Sequence, residues 1–504
     1  MNNKRDHVEA LKEADAYMER VKDEIYKHPW RQDYHYSPIA GWINDPCGLV
    51  QIDGWYHMFC QHYPFSGAWG MMYLSHARSR DLIHWEQLPE AFAPSEPYDY
   101  PDKIGGVYTC CAVDDNGEYK VIYTGCTEQY GQVQCLATTK DGIHFEKDPQ
   151  NPILSQYPPG MRQADFRDTK VWRHGKDWYL SCGTTAGKFG KVGLYRSPDL
   201  KNWEFVNFIW ESVGEYGTMP ECPNFFEVDG KWVLIFAPLE LENRKAMYLV
   251  GDFDYKTCKF KPQTVGEVDW GLDYYAPQVF TDDSGRTLML AWMESWSFHP
   301  WYLGNKACGQ YPHGYLYDCA EIGFCGSIST PRTVSVCHDG KLKFDPVPEL
   351  LQLRKDPWIR YNFDVTEREA FPMGDNVHGE IFVDFDLTQT NAEVIGFALR
   401  SSNEHETLVE FDLKHGELIF DRTRSGNKSA VVRKCVLESA ANDKLTVRMF
   451  LDSTSVEIFT DGNRTVMSNC IYSPIDSKDL FVYAKGGKAH VEALRTWGMK
   501  KVHD

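Results

Sequence analysis

Asp53-Gly54-Trp55-Tyr56-His57-Met58-Phe59-Cys60 is a polar turn closed by glycine and followed by a strand of alternating aromatic and aliphatic residues. The phrase returns at Gly117 before Tyr119 to Thr124, at Gly175 before Trp178 to Cys182, at Gly230 before Trp232 to Ala237, and at Gly285 before Leu288 to Trp292. Successive glycines are 63, 58, 55 and 55 residues apart. That period is too long for a helical hairpin repeat and suits a sheet of four short strands. Five such sheets predict a five-bladed β-propeller. The phase of the repeat carries the functional content, because Asp45 and Glu221 each stand nine residues before their turn glycine and Asp168 stands seven before. Equivalent positions of a radial repeat face one axis, so three acids distant in sequence are expected to meet in one central cavity.

A second recurring phrase marks outer strands: Ser79-Arg80-Asp81-Leu82-Ile83-His84-Trp85, Lys140-Asp141-Gly142-Ile143-His144-Phe145 and Ser197-Pro198-Asp199-Leu200-Lys201-Asn202-Trp203. Each reads as a tight turn leading into an aromatic strand, a structural element without chemistry. Upstream, Val8, Leu11, Ala14, Met18, Val21 and Ile25 make the apolar stripe of an amphipathic helix over His7 to Lys27, a strap for the propeller or for a second subunit. Beyond Pro346, strands of strict alternation such as Gly379 to Leu387, Thr407 to Asp412 and Ser455 to Phe459 argue for an antiparallel sandwich with one wet face. The expected chain is therefore all-β: a helical extension over residues 1–33, a five-bladed β-propeller over 34–345, a linker over 346–357 and a C-terminal β-sandwich over 358–504. Ser297 to Gly326 is longer than packed connections usually are and is a candidate for shaping the cavity mouth or for contact with a second copy of the chain.

Composition narrows the partners. With 53 Lys and Arg against 72 Asp and Glu among 504 residues, the formal charge of −19 repels nucleic acid and anionic membranes. No stretch approaches the ~20 apolar residues of a membrane span, and Met1 to Asp6 lead into charged helix, so a cytoplasmic location is expected. The 15 cysteines are odd in number and scattered, which fits small hydrophobes in a reducing compartment better than disulfides. Cys110 and Cys111 are adjacent, without metal-ligand spacing, so neither a metal nor a cofactor is expected. Aromatics make up 14% of residues, enough both for blade packing and for stacking on a small-molecule sugar.

Three short segments hold the acids. Trp42-Ile43-Asn44-Asp45-Pro46-Cys47-Gly48 fixes a carboxylate between an amide and a proline; alone it reads as a turn. Phe166-Arg167-Asp168-Thr169-Lys170 alone reads as a surface ion pair. Met219-Pro220-Glu221-Cys222-Pro223 sets a glutamate between proline and an apolar cysteine, surroundings that suit a carboxyl kept as an acid. Their shared phase makes the three together a stronger sign than any one. Carboxyl groups facing one cavity suit glycoside cleavage, one ionised at the anomeric carbon and one protonated at the leaving oxygen. No G-x-S-x-G and no dinucleotide fingerprint occur.

These segments, with Tyr56 to Gln61, Trp69-Gly70, Asp273 to Gln278 and Ala291 to Met293, resemble the motifs of glycoside hydrolase family 32, the invertase, inulinase, levanase and sucrose-6-phosphate hydrolase group. The resemblance covers nearly the whole chain and implies a retaining β-fructofuranosidase. It implies Asp45 as nucleophile, Glu221 as acid/base and Asp168 as the acid that stabilises the transition state through sugar hydroxyls. It further places Asn44, Gln61, Trp69, Arg167, Asp273 and Trp292 around the innermost sugar, and the stretch containing Tyr108 and Thr109 in the pocket wall. The chain departs from the family pattern at Cys47, at Thr169, at Met72 to His76 and at Tyr108-Thr109-Cys110-Cys111, which leaves the preferred fructoside open. A fructosyltransferase, a sugar-binding propeller without activity and an inverting arabinan-cleaving relative are the alternatives.

Overall fold

The computed structural model describes residues 4–158, 160–241, 245–293, 322–426 and 431–502. Among the described residues strands predominate, alongside the α-helix His7–Ile25 and short 3-10 turns. Five sheets of four or five strands follow one another between Gly41 and Pro346. Their first strands are Gly41–Ile52, Gly106–Asp115, Phe166–His174, Pro220–Val228 and Tyr274–Thr281. Each packs against the next, and the last packs against the first, so the five form a closed ring. The first sheet gains a strand from far along the chain, Phe324–Cys325, which pairs in parallel with Gly41 and Trp42.

The repeated glycines do what their position in the phrase requires. Gly54, Gly117, Gly175, Gly230 and Gly285 all hold φ between 62° and 88° at the turn that joins the first strand of a sheet to the second. At three of them the preceding residue, Asp53, Asn116 or Asp229, is also left-handed, the backbone of a two-residue hairpin. The second phrase is likewise a turn: Asp81, Asp141 and Asp199 each accept two backbone N–H groups just ahead of the outer strand.

The helix spans His7–Ile25, capped by Asp6, whose carboxylate accepts the N–H of Glu9 at 2.9 Å. It straps the first sheet, with Ala10 and Ala14 against Tyr73 and Ala93, and Met18 and Ile25 against Ala40 and Phe324. The expected stripe is corrected at its start: Val8 is exposed and Ala10 takes the buried place, packed in one cluster with Tyr73 and Ala93.

Between Arg354 and Met499 two six-stranded antiparallel sheets face each other over a core that includes Ile381, Val383, Phe397, Phe411 and Val456. The strand Arg354–Val365 begins inside the expected linker, after a 3-10 turn over Pro348–Leu353. Among the described residues no helix is long and apolar enough to cross a membrane.

Sandwich and ring of sheets share a buried ionic seam. His35 bridges Asp452 at 2.8 Å and Glu457 at 2.9 Å, and Arg332 bridges Glu457 at 2.6 Å and Asp269 at 2.9 Å, with every side chain fully enclosed. Burial opposes charge on His35, but its hydrogen bonds to the two carboxylates prevail and push it up to about 9. Burial likewise opposes charge on Asp452 and Glu457, yet His35 holds Asp452, and Arg332 with His35 holds Glu457, below the usual carboxylate range. A histidine raised on folding stabilises fully below its ordinary value of 6.5 and loses that contribution as pH climbs through about 9. The lowered carboxylates contribute above their ordinary values and lose that contribution as pH falls. Thermal unfolding of the wild type and of His35→Gln is therefore expected to differ most between roughly pH 5 and 6.5, and the gap is expected to narrow as pH rises to 9. A gap that widens with pH would contradict the seam's charge state.

Candidate active site

At one end of the ring a cavity of about 750 Å³ opens, and each of the five inner strands contributes to its wall: Asn44 and Asp45, Tyr108, Arg167 and Asp168, Glu221, and Tyr275. They converge because of a shared irregularity. Ile43 pairs with His62 but Pro46 pairs with Cys60, so three steps on the inner strand oppose two on its neighbour. The same one-residue slip lies between Val107 and Cys110, Arg167 and Lys170, Glu221 and Asn224, and Tyr275 and Gln278. A bulge bends its strand and re-aims the side chains on it. Here five bulges at one level turn consecutive side chains toward the axis. Three carry non-glycine residues in the left-handed region, Asp168 at 64°, Cys222 at 48° and Ala276 at 49°. Such backbone costs on the order of 1–3 kcal/mol each and persists where surrounding structure enforces it.

The acids are interlocked. Arg167 donates to Oε1 of Glu221 through Nη2 at 2.6 Å and Nε at 3.2 Å, and its Nε lies 3.8 Å from Asp168. Tyr275 donates its hydroxyl to Oε2 of Glu221. Asp168 accepts from the Thr109 hydroxyl and, at 2.9 Å, from the Cys222 N–H. The Cys222 thiol lies 3.7 Å from Oδ2 of Asp45. Asn44 is fixed between Trp42, whose Nε1 donates to it at 2.9 Å, and Gln61, which accepts from it at 2.6 Å.

Arg167 reaches Glu221 and Asp168 but makes no contact with Asp45, and the imbalance shows. Burial, then the nearby Asp168 and Glu221, push Asp45 up to about 7. Burial also raises Asp168, against the pull of Arg167 and its two hydrogen bonds. Asp45 is thus the group whose ionisation should govern the free protein near neutrality.

Asp45, Asp168, Glu221, Asn44, Gln61, Trp69, Tyr108 and Arg167 line the cavity, and Thr109, Asp273 and Trp292 stand behind its wall. Thr109 acts on Asp168 from there. Trp292 is fully buried and packs edge-on against Trp42 and Tyr275. Asp273 turns its carboxylate to Arg422 of the sandwich, so the expected sugar contact is replaced by a contact between the two parts of the chain. The apolar setting expected for Glu221 is also corrected, since Pro220 and Cys222 flank it in sequence while Arg167 and Tyr275 face its carboxylate. Sequence reading missed Gln132, which lines the cavity and accepts from Arg167 at 3.2 Å and from the Phe166 N–H at 2.8 Å. It also missed the role of Tyr275, although the Asp273 to Gln278 motif contained it. Ser297 to Gly326 falls largely outside the described residues. Among the described residues no cluster of three or more His, Cys, Asp or Glu is grouped as a metal would require.

An all-β ring with carboxyl groups converging on one cavity suits a glycoside hydrolase. Residues 35–346 match the family model for the Glycosyl hydrolases family 32 N-terminal domain, and residues 349–498 match its C-terminal counterpart. The chain belongs to glycoside hydrolase family 32. It is 33% identical to a sucrose-6-phosphate hydrolase of Zymomonas mobilis over 97% of this chain and 96% of that one. It is 32% identical to the raffinose invertase of Escherichia coli over 93% and 94%. Among solved structures, a mutant of the Bombyx mori family 32 β-fructofuranosidase in complex with sucrose superposes with a TM-score of 0.81 at 30% identity, covering 98% of each chain.

Proposed function

We propose that the protein is a retaining β-fructofuranosidase that hydrolyses the terminal fructosyl linkage of sucrose, sucrose-6-phosphate or short fructo-oligosaccharides. The observation that carries the reading is the meeting of Asp45, Asp168 and Glu221 in one cavity of a size typical for small-molecule sites. In this reading the five sheets are five propeller blades, a view supported by the closed contact order of their first strands. The propeller runs from the strand that begins at Gly41 to the strand that ends at Pro346, and the sandwich from the strand that begins at Arg354 to the strand that ends at Met499. The free thiols of the described cysteines suit a cytoplasmic enzyme.

The chemistry follows from the placement. Asp45 attacks the anomeric carbon as the glycosidic C–O bond breaks, and Glu221 passes its proton to the leaving oxygen. A fructosyl ester on Asp45 results. Glu221, now ionised, takes a proton from water as the water oxygen attacks the same carbon and frees Asp45, so configuration is retained. Asp168 keeps a second lone pair on each oxygen for sugar hydroxyls despite its two wall bonds. Trp69 and Tyr108 offer ring faces to the sugar, Asn44 and Gln61 offer amide groups, and Arg167 keeps Glu221 in place.

Incubating the purified protein with sucrose, sucrose-6-phosphate, kestose, inulin and levan, and identifying the products, tests the proposal. Released fructose is expected, with the β-anomer first in a freshly mixed sample. Absence of release from every fructoside would sink it, and accumulating trisaccharide at high sucrose would move it to transfer.

Asp45 must be ionised to attack, and its proton leaves at about 7 in the free protein. The ratio kcat/KM, which reports free-enzyme groups, is therefore expected to fall about tenfold per unit below that pH. A profile flat down to pH 5 would show that ionisation of Asp45 does not limit the reaction.

A further inference from the structure

Asp273 looks away from the cavity, and what it holds there reaches back to the acid. Its Oδ2 accepts from Nη1 of Arg422 at 2.5 Å and from the Cys470 N–H at 2.7 Å. Arg422 lies on the sandwich strand Glu417–Arg424, is 2% exposed, and also donates to the Cys470 carbonyl at 2.9 Å. The residues just before the strand Tyr274–Thr281 are tied to the same sandwich edge. Trp270 N–H donates to Val466 at 2.7 Å, Leu272 N–H to the Asn469 side chain at 2.9 Å, and Asp273 N–H to Ser468 at 3.2 Å. Two residues past Asp273, Tyr275 sets its ring against Trp292 and its hydroxyl on Glu221.

We propose that Arg422 is a positioning residue for the reaction: from the sandwich it anchors Asp273, and through Asp273 it aims the Tyr275 hydroxyl at Glu221. The inference rests on the reading of Glu221 as the acid/base. A hydroxyl must meet a carboxylate within a narrow range of distance and angle, so the start of its strand has to be held. A buried guanidinium and carboxylate in contact fix that start, and loss of the guanidinium leaves a buried charge that pulls the segment out of place.

The test compares Arg422→Met, Arg422→Lys, Tyr275→Phe and the double variant Arg422→Met with Tyr275→Phe, using kcat and KM separately on the best fructoside and on an aryl β-fructoside with an acidic phenol as leaving group. Arg422→Met is expected to lose about 10- to 100-fold in kcat on the sugar substrate, with KM little changed. It should lose less on the aryl substrate, and Arg422→Lys should recover part of the loss. In the Tyr275→Phe background Arg422→Met should cost little more, since the two act along one line. Equal losses in both backgrounds, a loss carried by KM instead of kcat, or equal losses on both substrates would overturn the role of Arg422. Wild-type protein run alongside separates the two levels: if it releases no fructose, the reading of Glu221 fails and takes this inference with it.

Discussion

Asp45→Asn is expected to lose turnover on the order of 10⁴-fold or more, the scale seen when a nucleophile is removed from a preorganised site, while its affinity for sugar stays within a few-fold. The amide keeps the shape of the side chain but cannot form the fructosyl ester. Binding survives for an electrostatic reason. Burial and two neighbouring acids already push Asp45 up to about 7, so near neutrality the wild-type cavity spends much of its time with this group uncharged, as the amide is. Removing this acid also removes its mutual repulsion with Asp168 and Glu221. Calorimetric titration with a fructoside, alongside product release over hours, checks both halves. Near-normal hydrolysis would remove Asp45 from the nucleophile's role, and loss of binding would show that its charge holds the sugar.

Glu221→Gln is expected to cost ~10² to 10⁴ in rate on natural fructosides, the usual value of general acid–base help. Much of the first-step loss should vanish on an aryl fructoside whose phenolate leaves without a proton. Hydrolysis of the ester then becomes limiting because no base activates water. Azide, already a nucleophile, should relieve that block and yield a fructosyl azide of retained configuration. Arg167 loses its closest partner in this variant but keeps Asp165 at 3.5 Å and Asp168 at 3.8 Å, so the cavity should stay intact. A loss equal on both substrates and untouched by azide would point to collapse of the site instead of lost proton transfer.

The parts of this molecule legible in its sequence are those set by short-range chemistry. Gly54 and its four counterparts mark hairpins because the turn needs a left-handed residue whatever lies around it. Alternation along Gly379 to Leu387 marks a sandwich strand because a half-buried sheet imposes period two. The meeting of Asp45, Asp168 and Glu221 was legible only through the repeat, since ring closure converts a shared phase into proximity. What escaped depends on contacts between blades. Tyr275 reaches Glu221 from the next blade, and Gln132 reaches Arg167 from the previous one, neither marked by spacing within its own segment. Asp273 shows the opposite failure: a motif residue fell on the expected side of the strand start, but a guanidinium nearly 150 positions later claims it.

The level at which the five inner strands slip has a consequence for how such a site can diversify. Beneath it, pairing and core packing leave little freedom; above it, the strands present side chains to the lumen. Tyr108 can thus be exchanged without disturbing the ladder from Cys110 to Asp115, whereas Thr109 is tied to Asp168. The frame is common to all five strands, and a shift in sugar preference needs only side chains above the slip to change.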